Sequence, residues 1–239
     1  MTDILDPFVD ILLVGDSVGT VLHGHDTTIP VSLDEIILHA KSAARTATTA
    51  MVVVDLPFGC YEASPEQAFH SASRILKETG ATAVKLEGGV TQAQTITLLT
   101  ECGIPVMAHI GLRPQSVQTT GGYKIVGRTE DQCESMRTDA DAVQRAGAFA
   151  VVLEGVVEPL ARELTQRLEI PTIGIGASPA CDGQILVTED MLGFFERTPK
   201  FVRRFANLRE TITDAVSQYA ISVRERSFPA DKETYANDN

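Results

Sequence analysis

The stretch Ala83-Val84-Lys85-Leu86-Glu87-Gly88-Gly89 follows Gly80, a helix-ending residue, and reads as a short β-strand. Side chains of a strand alternate between faces, so Lys85 and Glu87 share one face and Val84 and Leu86 the other. The apolar pair suits packing against covering helices. A lysine and a carboxylate on the inward face are costly to bury unless they pair, bind a metal or hold a ligand. An internal salt bridge would satisfy one such strand. The recurrence of the same design along the chain turns the reading toward a site.

Ile11-Leu12-Leu13-Val14-Gly15-Asp16-Ser17 is an apolar run that ends in an acid, as a buried parallel strand does at its carboxyl tip. Met51–Pro57 repeats the pattern with Asp55, Ile104–His109 ends in a histidine, and Phe149–Glu154 ends in an acid again. Pro171–Ala177 and Gln184–Val187 read as two further strands. Helices fall between them. Ser32 and Glu35 form a capping box for a helix through about Ala47, and Ser64-Pro65-Glu66 opens another that closes at Gly80. Further helices are expected over Thr91–Cys102, Gln132–Ala146, Glu158–Leu168 and from Pro199 to about Arg226. Leu112–Asp131 is the longest stretch without periodicity, and loops of that length inside a compact domain are usually functional or mobile.

Regular alternation of strand and helix implies a parallel sheet with helices outside. Seven strands are one short of a (β/α)₈ barrel, the fold in which reactive residues gather at the carboxyl ends of strands. Residues 1–226 are expected to form a single barrel domain and 227–239 a loose polar tail. The 239 residues suffice for a full core, and 44% hydrophobic with 22% charged residues is ordinary globular composition. A net charge of −12 argues against nucleic acid or an anionic membrane as the main partner. It leaves room for an anionic small substrate, because a bound metal reverses the local field. Four dispersed cysteines, no apolar run near the ~18 residues of a membrane span and an acidic start lacking signal character make a reduced cytoplasmic location the expectation.

Asp16, Asp55, Glu87, His109 and Glu154 all stand at predicted strand tips and are expected to converge. Asp16, Asp55 and Glu87 would form an all-oxygen site suited to Mg²⁺ rather than Zn²⁺. Lys85 would hold a substrate carboxylate or an oxyanion, and His109 would donate to a carbonyl oxygen or merely cap a strand. Glu154 is the best candidate for a general base. A metal chelating the keto and carboxylate oxygens of a 2-oxo acid would acidify the adjacent carbon and stabilise an enolate. Elsewhere the bland readings prevail: a structural loop for His23-Gly24-His25-Asp26, and a solvated face for Arg197, Lys200, Arg203, Arg204 and Arg209. Packing or surface roles suit His39 and His70, and Gly174-Ile175-Gly176 lacks the third glycine and helix of a dinucleotide fingerprint.

Taken in order, VGDS at Val14–Ser17, HGHDTTIPV at His23–Val31, DLPFG at Asp55–Gly59 and VKLEGG at Val84–Gly89 resemble the ketopantoate hydroxymethyltransferase family. HIGLRPQS at His109–Ser116, GGYKIVGR at Gly121–Arg128, VLEGV at Val152–Val156 and IGIGASPACDGQILV at Ile173–Val187 continue the resemblance, which spans about Ile4 to Tyr219. It implies a (β/α)₈ TIM barrel that binds Mg²⁺ and passes a one-carbon unit from 5,10-methylenetetrahydrofolate to 3-methyl-2-oxobutanoate. The product, 2-dehydropantoate, leads to pantothenate. Residue by residue, Asp16, Asp55 and Glu87 match the metal ligands, and Asp16, Ser17, Asp55 and Lys85 the keto-acid contacts. His109 lies near the same oxygens and Glu154 matches the proton acceptor. A large homo-oligomer, typically a decamer, is also implied.

The family carries about one more strand and half a helix ahead of the Val14–Ser17 block, so the barrel is expected to lack its first strand. Ala108 before His109 and Gly155 after Glu154 are smaller departures that remove no charged group. Two alternatives stand beside this reading. One is a metal-dependent keto-acid enzyme of the isocitrate lyase or phosphonopyruvate class, against which no cysteine is placed as that class requires. The other is a non-catalytic, N-terminally truncated paralogue, against which the set of tip residues is intact.

Overall fold

In the computed structural model, which describes residues 1–235, every predicted strand joins one parallel sheet. The strands are β1 (Ile11–Val14), β2 (Met51–Asp55), β3 (Ala83–Glu87), β4 (Val106–Gly111), β5 (Ala150–Glu154), β6 (Thr172–Ile175) and β7 (Gly183–Gln184). They are hydrogen-bonded in chain order, and no pairing among the described residues joins β7 to β1. The last strand is two residues at 183–184 rather than the expected 184–187, since after Ile185 N–H donates to Gly174 O the pairing with β6 ends.

The helices between the strands start and stop where local chemistry directs. Ahead of α1 (Leu33–Ala44), Ser32 Oγ accepts the Glu35 N–H, while Glu35 Oε2 accepts the Ser32 N–H. Ser64 caps α2 (Pro65–Thr79) by accepting the Gln67 N–H, and Gly80 ends it in the left-handed region at φ 75°. Next come α3 (Ala93–Glu101), α4 (Glu130–Arg145), capped by Thr129, and α5 (Glu158–Arg167).

Two apolar layers follow from strand alternation. Val52, Val54, Val84, Leu86, Val106, Ala108, Val151 and Leu153 face outward and pack with Ile36, Ala72, Ile75, Ile96, Val143 and Leu164 of the helices. Val53, Ala83, Met107, Ala150 and Val152 face inward, joined by Ile11, Leu13, Ile173 and Ile175. Inner-face side chains from six strands meet in one cluster, so the sheet curls as part of a barrel.

The chain divides into two compact units, Met1–Ile185 and the part from Leu186 onward. The second unit holds α6 (Leu208–Arg224). The expected helix from Pro199 begins instead at Leu208. Ahead of it, Phe205 N–H donates to Met191 O, and Leu208 N–H to Leu192 O, so backbone groups are spent on partners outside a helix. Of the expected tail, residues 236–239 lie outside the described residues.

Candidate active site

Register assembles the site. On the inner face Asp55 of β2 pairs laterally with Lys85 of β3, Glu87 with His109 of β4, and Gly111 with Glu154 of β5. The inner rows of β2 to β5 therefore change from apolar at their start to polar toward the carboxyl end. Asp16 follows β1 directly, and its N–H donates to Asp55 Oδ2 at 3.1 Å. Lys85 Nζ makes an ion pair with Asp55 Oδ1. Asp16, Asp55, Lys85, Glu87 and His109 are all buried. Ser17 is half-buried at the start of a helical turn, and its hydroxyl caps no backbone group there.

These groups are in electrostatic tension. Burial, then the neighbouring Asp55 charge, pushes the Asp16 carboxyl up to about 6. Burial likewise pushes Glu87 up to about 7, against the opposing pull of His109 and Lys85. Burial alone would depress the Lys85 ammonium, but the charges of Asp55, Glu87 and Asp16 outweigh it and hold it above its usual range. Three carboxylates face one lysine, which leaves an uncompensated negative charge in a buried space.

His109 stands between two carboxylates. Its Nδ1 is 3.6 Å from Glu87 Oε1, and its Nε2 is 3.3 Å from Glu154 Oε2. Neither approach is aligned as a hydrogen bond, so both ring nitrogens are buried without a partner. Glu154 keeps part of its side chain open, with 18% exposure. Gly111 makes its placement possible: at φ 98°, a Cβ there would lie 2.4 Å from the Glu154 carbonyl oxygen. That carbonyl accepts the Leu112 N–H at 2.8 Å.

A family model described as ketopantoate hydroxymethyltransferase matches residues 1–231. The chain belongs to the ketopantoate hydroxymethyltransferase family. A relative from Bartonella henselae named 3-methyl-2-oxobutanoate hydroxymethyltransferase is 60% identical over 97% of this chain and 84% of its own length. One of the same name from Parvibaculum lavamentivorans is 59% identical over 97% and 85%. Among solved structures, 2,3-dimethylmalate lyase, a PEP mutase/isocitrate lyase superfamily member, aligns over 98% of this chain and 82% of its own. Its TM-score is 0.54 at 19% identity, a likeness of fold.

In this member of the ketopantoate hydroxymethyltransferase family the buried polar cluster has two further members that strand-tip reasoning passed over. Gln115, from the turn after β4, is 5% exposed and hydrogen-bonds to Asp16 and Glu87. Tyr61, from the segment after β2, is 2% exposed and its hydroxyl donates to Gln115 Oε1. Neither lies in a periodic element; the long non-periodic stretch Leu112–Asp131 and the family block HIGLRPQS marked the neighbourhood of Gln115, and only the block DLPFG that of Tyr61. Beside the β4 tip, a cavity of about 320 Å³ is lined by Arg113, Lys124 and Asp139 among others.

The donors suit a hard divalent cation, for Asp16, Asp55 and Glu87 bring three buried carboxylates together against the single charge of Lys85. The ligand cage is not closed. Among the described residues no three His, Cys, Asp or Glu side chains stand ready around one ion, because Lys85 and Gln115 take carboxylate oxygens. Mg²⁺ retains several waters and often takes only one or two carboxylates directly, so this arrangement fits it.

The other candidate features have local partners of their own. His23 Nδ1 lies 3.5 Å from Glu35 Oε1, with the His25 and His39 rings near it, as a structural loop would have them. Arg209 pairs with Glu196, and Arg204 donates to the Glu196 carbonyl. The four cysteines are free. No helix among the described residues is long and apolar enough to cross a membrane.

Proposed function

We propose that this chain transfers a hydroxymethyl group from 5,10-methylenetetrahydrofolate to 3-methyl-2-oxobutanoate through an enolate, giving 2-dehydropantoate for pantothenate synthesis. The observation that carries the reading is the meeting of buried Lys85, His109 and three carboxylates with the partly open Glu154 at one end of the sheet.

Glu154 Oε2 takes the proton from C3 of the keto acid. Its carboxyl is the partly exposed member of the set, open to a substrate carbon while it rests against His109. His109, whose nitrogens have no protein partner, donates to the keto oxygen as negative charge gathers there. Lys85 is held charged by its neighbours and, with the Ser17 hydroxyl, orients the substrate carboxylate. Asp16, Asp55 and Glu87 would hold Mg²⁺. When bound, the ion supplies Lewis acidity that makes C3–H easier to remove. The C3 carbanion then attacks the donor's methylene carbon. At that carbon one C–C bond and one C–O bond to a water oxygen form as the two methylene–nitrogen bonds break, and tetrahydrofolate leaves with its two nitrogens protonated, one proton from C3 and one from the water. In keeping with the family, the working form is a homodecamer in the cytoplasm.

The proton step can be followed without folate, as hydrogen–deuterium exchange at C3 of 3-methyl-2-oxobutanoate by NMR, with and without Mg²⁺. Metal-dependent exchange is expected, and Glu154→Gln should slow it by about 10²–10⁴-fold in a folded protein. Near-normal exchange by that variant would remove Glu154 as the base.

A further inference from the structure

Gln115 uses its backbone N–H and both ends of its side-chain amide. Its N–H donates to Glu87 Oε2 at 3.1 Å. Its side-chain Nε2 donates to Asp16 Oδ2 at 2.8 Å and to the Leu56 carbonyl at 3.0 Å. Its Oε1 accepts the Tyr61 hydroxyl proton at 2.5 Å. The residue thus joins the segments after β1, β2 and β4 to the tip of β3. The Asp16 contact spans 99 positions of sequence.

A glutamine amide can turn over and exchange its donor and acceptor ends. Two groups prevent that here. The Leu56 carbonyl only accepts, so it demands the NH₂ end. Tyr61 oxygen accepts from the Glu87 N–H at 3.3 Å, and of the two acceptors open to its own proton Gln115 Oε1 at 2.5 Å is much nearer than the Glu87 carbonyl at 3.4 Å. With the amide so oriented, Asp16 meets a donor; turned over, it would meet a carbonyl oxygen.

On the reading of function given above, we propose that Gln115, its amide locked by Tyr61, is a positioning residue that sets the Asp16 and Glu87 carboxylates for the divalent cation. It touches neither substrate nor ion. Groups that orient ligands in this way typically change metal affinity by about 10–100-fold when removed.

Mn²⁺ binding to the substrate-free chain of 239 residues, read as free ion by electron paramagnetic resonance, tests this beside the thermal midpoint. Gln115→Met keeps length, bulk and the backbone N–H on Glu87 but loses every side-chain hydrogen bond, and should weaken Mn²⁺ by about 10-fold or more while the protein remains folded. Tyr61→Phe should weaken it less. The double variant should bind no more weakly than Gln115→Met alone, because Tyr61 acts through Gln115. Affinity unchanged in folded Gln115→Met, or single effects that multiply in the double variant, would overturn the proposal. If the wild-type protein failed to bind Mn²⁺, the metal reading itself would fall, and this role with it. Binding by the wild type and by every variant alike would remove the positioning role alone.

Discussion

At the scale of single residues, Glu87 is where burial and charge conflict most openly. It is 6% exposed, and its carboxyl is pushed up to about 7. A folded-state value above the unfolded one means that the native protein binds more protons between the two. The stability that this supplies is present at low pH and is lost as pH rises through the folded value. In the absence of metal, the fold should therefore weaken from about pH 4 to about pH 7, with Asp16 adding to the trend over a narrower window. Glu87→Gln removes the charge and keeps an oxygen for the Gln115 N–H. In chelator, that variant should be more stable than the parent near pH 8, by on the order of 2 kcal/mol, and nearly equal to it near pH 4. Calorimetry decides, and a variant no more stable at the higher pH would show that the buried charge is already compensated. Lys85 and Glu87 were readable as inward-facing from the period of two alone. Gln115 was not, for one glutamine in a loop carries no periodic signal.

At the scale of elements, the approach to β2 is tied down by a carboxylate far away in sequence. Asp6 is buried, and its oxygens accept the N–H groups of Thr48, Thr49 and Ala50 and the Thr48 hydroxyl. The Ala50 N–H foremost, then Thr48, holds its carboxyl well below the usual range. The sign is opposite to that of Glu87: the contribution is whole above the unfolded value and is lost as pH falls through about 4 toward the folded one. Asp6→Asn should lower the thermal midpoint near neutrality, with a deficit that shrinks in acid. A deficit that stayed constant down to about pH 2 would mean that shape, not charge, does the holding. The caps at Ser32 and Ser64 and the stop at Gly80 were legible because their chemistry lies within four residues. The Asp6 contacts lie 42 to 44 positions apart and were not. Nor was the non-helical run before Leu208, whose backbone partners are 191 and 192.

At the scale of the whole molecule, a chain of 25.7 kDa and net charge −12 exposes Ile212, Val216, Tyr219 and Val223 along α6. Their spacing puts them on one helical stripe. For the proposed decamer, light scattering on the purified protein should give about 260 kDa, ten times the chain mass, under the closed symmetry usual for homo-oligomers. A mass of one or two chains at micromolar concentration would refute that assembly. The order of strands and helices, the inner and outer faces of the sheet and the charged tips could all be read from residue type and period, because such signals act over a few positions. Which tip stands beside which was decided by the folded sheet. Register set Asp55 against Lys85 and Glu87 against His109, and the curl of the sheet brought β1 within reach of the loop after β4. Contacts of that span depend on the whole core closing, and no local propensity encodes them.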